Sequence, residues 1–286
     1  AFHQPDQIRV RVDGRVRTVP LDEYVLGSVL AEVSPVDETP RTAARIFEVQ
    51  AVIARTYAVA HLGRHRQQGF DVCDSTHCQL YDPARIKTSR FTAIAREAVR
   101  ETSREVLMYA SRPAETLFHA DCGGSTTSAN AVWGGRALPY LKASTDQQPS
   151  LSHRTWRFAV PFSKLREALN RDTRSRVGSR LDGIEIVKRD ESGRAASISV
   201  HGQQRQVLRG EDLRAILNQT FGDHAVQSTK LTIAKTKDAY IFNGAGFGHG
   251  VGLCQIGAAA RARRGQSVED ITGAFFEGTA VVRLAR

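Results

Sequence analysis

The sequence predicts an α+β fold with a main lobe and a smaller inserted α+β lobe. Three observations predict it. Short alternating apolar segments flank a tight-turn pair in IRVRVDGRVRTVPL. Apolar residues at helical spacing follow at once in LDEYVLGSVLAEV. Strands and helices then stay intermixed to the C-terminus, with no internal repeat and no low-complexity segment.

In chain order, Asp13-Gly14 turns the first hairpin. The first helix takes Asp22 as its N-cap and buries a stripe of Val25, Leu26, Val29, Leu30 and Val33. Glu32 falls at the edge of that stripe, where a carboxylate is half desolvated and still reaches a groove. A second helix over 40–62 is capped by Thr39, has Pro40 in its first turn, and presents a smooth face of Ala43, Phe47, Gln50, Ala51, Ala54 and Ala58. GFDVCDSTHCQLYDP reads as an ordered loop, followed by a helix near 91–103 and strands EVLMYA and ETLFHA. After the glycine-rich DCGGSTTSANAVWGG, a polar linker, DQQPSLSHRT, ends near Thr155. The smaller lobe, 156–230, carries a helix near 163–170, a hairpin turning at Glu191-Ser192-Gly193, and a helix near 210–218. The main lobe comprises 1–155 and 231–286; its last part holds two strands in KLTIAKTKDAYIFNG, helices from CQIGAAARARRG and from Ser267, and a final strand TAVVRLA.

Composition narrows the function. Of 286 residues, 41% are apolar and 24% charged, as in an ordinary folded protein, and no run approaches the ~18 apolar residues of a membrane span. AFHQPDQIRV lacks the basic–apolar–small pattern of a signal peptide, so any signal or N-terminal membrane anchor is expected outside this chain. The net charge of +10 favours polyanions: nucleic acid, anionic lipid or anionic wall polymer. The arginines are scattered, with small clusters at 64–66 and 261–264, and no groove-reading helix is recognisable, so nucleic acid is not expected as a partner.

The stretch GAGFGHGVGLCQIGA, 244–258, places glycine at almost every second position. A dinucleotide fingerprint needs a helix beginning within the motif, and a phosphate loop needs Gly-Lys-Ser/Thr; neither is present. The pattern suits a loop lining a groove for a bulky polar ligand, or a plain turn between strand and helix. His119 and His249 each leave a strand for such a loop, as ligands, proton carriers, sugar hydrogen-bonders or structural histidines. Tyr57, Tyr81, Trp133 and Tyr140 offer rings for sugar faces or for packing. Cys73 and Cys78 form C-x4-C with His77 between and His65 upstream, a spacing that fits zinc, a disulfide or free thiols alike. Cys122 and Cys254 sit in separate glycine-rich loops and approach one another if those loops converge.

Taken together, LDEYVLGSVLAEVSP, VQAVIARTYAVAH, STHCQLY, FHADCGGSTTSANAVWGG, PYLKASTD and GFGHGVGLCQIGA, in this order, resemble the stage II sporulation protein D (SpoIID/LytB) family from about Leu21 to the C-terminus, with 157–230 matching weakly. The resemblance implies a lytic transglycosylase that cleaves the β-1,4 bond between N-acetylmuramic acid and N-acetylglucosamine in peptide-stripped peptidoglycan, leaving a 1,6-anhydro end. It also implies an amidase partner, an extracytoplasmic site of action, and, in some members, a non-catalytic role as amidase enhancer. Glu32 in LAEVSP matches the catalytic glutamate. Arg55, Tyr140 and Lys142 match residues needed for activity, and Gln79, Tyr81, His119, Gly123, Gly124, His249, Gly250 and Gln255 match motif residues expected to contact substrate. The chemistry requires no cofactor; zinc, held in some members by a histidine and two cysteines, has His65, Cys73 and Cys78 as its candidate ligands here. Departures from the pattern are Val33-Ser34-Pro35 for Met-Pro, about five extra residues around VDETP, Glu48 where many members have lysine, and Cys254 and Ile256 for serine and tyrosine. Glu48 is either a second carboxylate that raises Glu32 or a harmless surface charge.

Overall fold

A computed structural model describes residues 4–146 and 152–285. Half of the expected polar linker, 147–151, lies outside them. The fold is mixed α and β in two compact units, 1–117 with 258–286, and 118–257.

The first unit opens with the hairpin β1 (Gln7–Val12) and β2 (Arg15–Pro20), paired antiparallel around Asp13-Gly14. α1 (Leu21–Glu32) follows directly. Its N-cap position falls on Pro20 rather than Asp22, and no side chain caps it. Asp22 lies one residue inside the helix, where its carboxylate accepts from Arg55 at 3.0 Å. Burial in α1 is continuous from Tyr24 to Leu30, not confined to a stripe. Glu32 is half-buried because it ends this interior helix, not because it flanks an amphipathic one.

α2 (Pro40–Ala60) has Thr39 as its cap, whose hydroxyl accepts from Thr42 N, and all six residues of the expected smooth face are buried. β3 (Val72–Cys73) then pairs parallel with β1. After α3 (Arg85–Thr88) and α4 (Thr92–Glu101), β4 (Glu105–Tyr109) pairs with β5 (Arg112–Pro113). Apolar faces of α1, α2 and α4 meet β1 in one core around Val10, Tyr24, Leu26, Phe47, Ala54 and Val99.

The second unit holds β6 (Phe118–His119), α5 (Ala129–Trp133), β7 (Thr155–Pro161), α6 (Phe162–Arg171), the hairpin β8 (Leu181–Arg189) and β9 (Ala195–Gly202), β10 (Arg205–Arg209), α7 (Gly210–Phe221), β11 (Leu231–Lys235), β12 (Ala239–Ala245) and β13 (Leu253–Cys254). The expected strand ETLFHA shrinks to the two residues of β6, which pair parallel with β13. Two three-stranded sheets, β10-β9-β8 and β11-β12-β7, share a core with α6 and α7 around Trp156, Leu169, Ile198, Leu217 and Phe242. The sequence reading placed a smaller lobe at 156–230. Here β12 pairs along its length with both β11 and β7, so strands from either side of residue 230 share one sheet, and the compact unit extends to 118 and 257. The chain returns to the first unit within α8 (Gln255–Arg263), then forms α9 (Val268–Gly273), capped by Ser267, and β14 (Ala280–Arg283), which pairs with β4.

The first unit turns on Arg55, which is 0% exposed. Its guanidinium donates to Asp22, to the carbonyls of Val99 and Thr102 at the end of α4, and to Glu105 O. It joins three helices and β4 by satisfying carbonyls that the end of α4 leaves open. Arg55→Met leaves those carbonyls buried and unpaired, so we expect a loss of about 3–5 kcal/mol in urea unfolding. Asp22→Asn, which keeps an acceptor at a half-exposed position, is expected to cost about 1 kcal/mol.

Candidate active site

Glu32 is held from outside its own helix. At Gly27 the face of α1 is bare, and Tyr81 lies on it: an added Cβ would come 2.5 Å from a ring carbon of Tyr81. The Tyr81 ring also packs against Tyr24, centroids 5.0 Å apart. Two residues earlier the buried Gln79 amide donates to Tyr24 Oη at 2.8 Å and to Ala54 O at 3.2 Å. With both neighbours pinned, the backbone at Leu80 is fixed, and its N–H donates to Glu32 Oε1 at 2.8 Å. Gln79 and Tyr81, expected to contact substrate, are therefore buried residues that position Leu80.

Burial pushes the Glu32 carboxyl up to about 7, against the opposing pull of the Leu80 N–H. A carboxyl in this range holds a proton near neutrality and gives it up readily, as a general acid/base requires. Glu48 is not the cause; it pairs with Arg45 at 3.2 Å.

Just before this clamp, four donors converge. Cys78 Sγ lies 3.4 Å from His65 Nε2 and 3.7 Å from His77 Nδ1, and Cys73 Sγ lies 3.7 Å from the same nitrogen. All four ligand atoms are within 4.8 Å of one another, and both cysteines are free thiols. Zinc bonds of ~2.0–2.1 Å to nitrogen and ~2.3 Å to sulfur at tetrahedral angles give N···S edges of about 3.6 Å, so the residues fit the metal. His77, absent from the expected ligand set of His65, Cys73 and Cys78, lies in the same cluster. β3 fixes Cys73, and a turn in which Cys78 N donates to Ser75 O brings Cys78 back towards it.

In the second unit the glycine-rich stretch is packed against its own protein. A Cβ at Gly246 would lie 2.7 Å from Asp121 O, and one at Gly250 would strike the Arg194 guanidinium. These glycines admit neighbouring protein, where the sequence suited either a groove for a bulky polar ligand or a plain turn. His119 is buried, its Nδ1–H donating to Val251 O at 3.1 Å; His249 Nδ1 accepts from Val251 N at 3.0 Å, and its ring lies 5.0 Å from that of Trp133. Burial lowers His249 to about 3 and His119 well below its usual range, so both are neutral at physiological pH and neither serves there as a proton carrier. Tyr140 is buried and Lys142 is exposed. Gly123 and Gly124 both take positive φ beside Cys122, and Gln255 begins α8. Arg55 of the first unit, matched to a residue needed for activity, is the interior anchor described above.

A family model described as Stage II sporulation protein matches residues 13–109, the segment that carries Glu32, its clamp and the four-donor cluster. An uncharacterized protein of Brachyspira hyodysenteriae is 30% identical over 93% of this chain and 68% of its own length. Stage II sporulation protein D of Bacillus subtilis is 29% identical over 93% of this chain and 75% of its own length. The chain belongs to the stage II sporulation protein D family. A second family model, described as a domain of unknown function, matches residues 152–252 of this SpoIID chain. The amidase enhancer of Bacillus subtilis is 25% identical over 82% of this chain but only 37% of its own length.

Tyr24, Gly27 and Leu80 escaped the sequence reading of this SpoIID chain. Gly27 alone carried a signal, a glycine inside an apolar helix. Leu80 acts through its backbone, which no side-chain motif reports.

Two outcomes follow from the clamp. The folded-state pKa of Glu32 lies above its ordinary value of 4.5, so its stability contribution is full below about 4.5 and is lost as pH rises through about 7. Glu32→Gln should therefore raise the melting temperature relative to the parent at pH 8 and change it little at pH 5, read by calorimetry across pH. Gly27→Ala should push Tyr81 off α1 at a cost of about 1–3 kcal/mol in urea unfolding.

Proposed function

We propose that this chain is a peptidoglycan lytic transglycosylase in which Glu32 is the single acid/base. The observation that carries the reading is the half-buried Glu32 carboxyl, raised to about 7 and held by one backbone N–H. Because Leu80 N–H occupies Oε1, Oε2 is the oxygen that holds the moving proton. In the first step Glu32 gives that proton to the glycosidic oxygen as its bond to C1 of the muramyl sugar breaks. In the second the carboxylate takes the proton of the same sugar's 6-hydroxyl, whose oxygen closes on C1, and Glu32 returns to its starting form. One carboxyl suffices because no water is activated, unlike in a hydrolase with two carboxylates.

The surroundings suit this cycle. A net charge of +10 draws the chain to an anionic wall, and we place its action outside the cytoplasm. Among the described residues no helix is long and apolar enough to cross a membrane. Zinc held by His65, Cys73, His77 and Cys78 would tie the loop at Cys78 and so steady Leu80 two residues on; its role is structural.

The test is digestion of amidase-treated glycan strands, with products read by mass spectrometry. The parent should release anhydro-muramyl ends, and Glu32→Gln should lower the rate on the order of 10²–10⁴-fold. The parent rate should fall as pH rises beyond about 7, where Glu32 loses its proton. Equal release by both proteins, or reducing ends only, removes the assignment. Metal analysis should find zinc on the purified chain, and Cys73→Ser with Cys78→Ser should abolish the share held at this cluster.

The similarity to an amidase enhancer favours a second reading, a non-catalytic glycan-binding module that activates an N-acetylmuramoyl-L-alanine amidase. That reading predicts binding to stripped strands, no anhydro product, and faster amidase turnover when the chain is added.

A further inference from the structure

Cys122 and Cys254 lie 132 residues apart in sequence, yet Cys122 N–H donates to Cys254 Sγ at 3.2 Å, and both side chains are 0% exposed free thiols. The parallel pairing of β6 with β13 sets His119 opposite Cys254, which brings a third donor to the same place. His119 Nε2, Cys122 Sγ and Cys254 Sγ all lie within 4.8 Å of one another. None of the three takes part in the acid/base cycle of Glu32.

The histidine is set as a ligand would be. A carbonyl can only accept, so the bond from His119 Nδ1 to Val251 O fixes the proton on Nδ1. Nε2 is left as a bare lone pair, buried and with no hydrogen-bond partner. Metal-bound histidines are oriented in this way, by a backbone carbonyl on the nitrogen that does not bind. The sulfur of Cys254 is likewise fixed in place, accepting backbone N–H groups from Cys122 and Gly257. Positive charge is close by: the buried Arg194 donates to Cys122 O at 2.6 Å, and Lys230, half-buried, acts on the same cysteine. The Cys122 thiol points at Asp146 Oδ2, 3.8 Å away.

We propose that His119, Cys122 and Cys254 form a second, buried site for a thiophilic divalent cation of the zinc type, separate from the cluster at Cys73 and Cys78. Two thiolates and one imidazole are the donor set such an ion selects. Bonds of ~2.0–2.3 Å around one centre require the three ligand atoms to draw together by about 1 Å or less. On binding, both thiols release their protons, so the ion with its two thiolates is neutral overall. The ion would tie β6 and the loop after it to β13, joining DCGG to GLCQ.

The test uses the full chain, reduced, loaded with zinc alone and desalted, with metal counted by elemental analysis. The parent should hold about two zinc ions; Cys122→Ser with Cys254→Ser should hold about one, and Cys73→Ser with Cys78→Ser about one. Cobalt loaded into the Cys73→Ser, Cys78→Ser chain should give thiolate-to-cobalt charge-transfer absorption, lost on adding Cys254→Ser. Peptide-mapped alkylation of the folded parent needs no substitution, and zinc should slow the labelling of Cys122 and Cys254. The proposal is overturned if zinc leaves that labelling unchanged, or if the Cys73→Ser, Cys78→Ser chain holds none. It is also overturned if that chain, unreduced, carries a Cys122–Cys254 disulfide that persists under the loading conditions. None of these readouts depends on glycan cleavage, so the site and the proposed enzyme activity can fail separately.

Discussion

A carboxyl group taken out of water and given a single backbone N–H is the constraint around which the first unit is organised. Desolvation alone would make Glu32 expensive to ionise, and a cation or several hydrogen bonds would make it too easy. One N–H from Leu80 leaves it near 7. That balance depends on where Leu80 stands, and Leu80 stands where Gln79 and Tyr81 pin it. Both pins reach α1, through Tyr24 and through the bare surface of Gly27. Arg55 in turn holds α1 to α2 and α4. The acid, its clamp and the helix packing are one mechanical chain, and a residue far from the carboxyl can matter to it without meeting substrate.

The second unit applies the same economy differently. Its glycine-rich stretch is a packed seam in which backbone lies against backbone and against the Arg194 guanidinium. His119 and His249 are neutral and held through Val251. Such a seam positions buried groups closely, and the clearest product of that closeness is the meeting of His119, Cys122 and Cys254. The two clusters of sulfur and nitrogen differ in setting: the first is partly exposed and lies beside the clamp, whereas the second is wholly buried beneath strand ends.

Local chemistry was legible before any fold. The Asp13-Gly14 turn, the Thr39 cap, the alanine face of α2, the helix from Ser267 and the hairpin closing at Gly193 each follow from short-range steric and hydrogen-bonding preferences. The order of motifs was legible too, and with it the family and the candidate glutamate. Asp22 misled because a helix-start residue and a distant arginine compete for one carboxylate, and the arginine is 33 positions away. Arg55 and Gln79 show the same limit: sequence reports the donor, and only packing reports that its acceptors lie inside the protein.

The sequence by itself determined the α+β class, the membership of a family, and the presence of a carboxyl at the end of an apolar helix. Tertiary structure alone decided that this carboxyl meets Leu80 N–H, that His77 joins His65, Cys73 and Cys78, and that two cysteines 132 residues apart share a histidine. The physical reason is that desolvation and hydrogen-bond geometry are properties of neighbours in space. A side chain's identity sets what it is able to donate or accept, but its pKa and its partners are set by residues brought to it through long loops and parallel strand pairing.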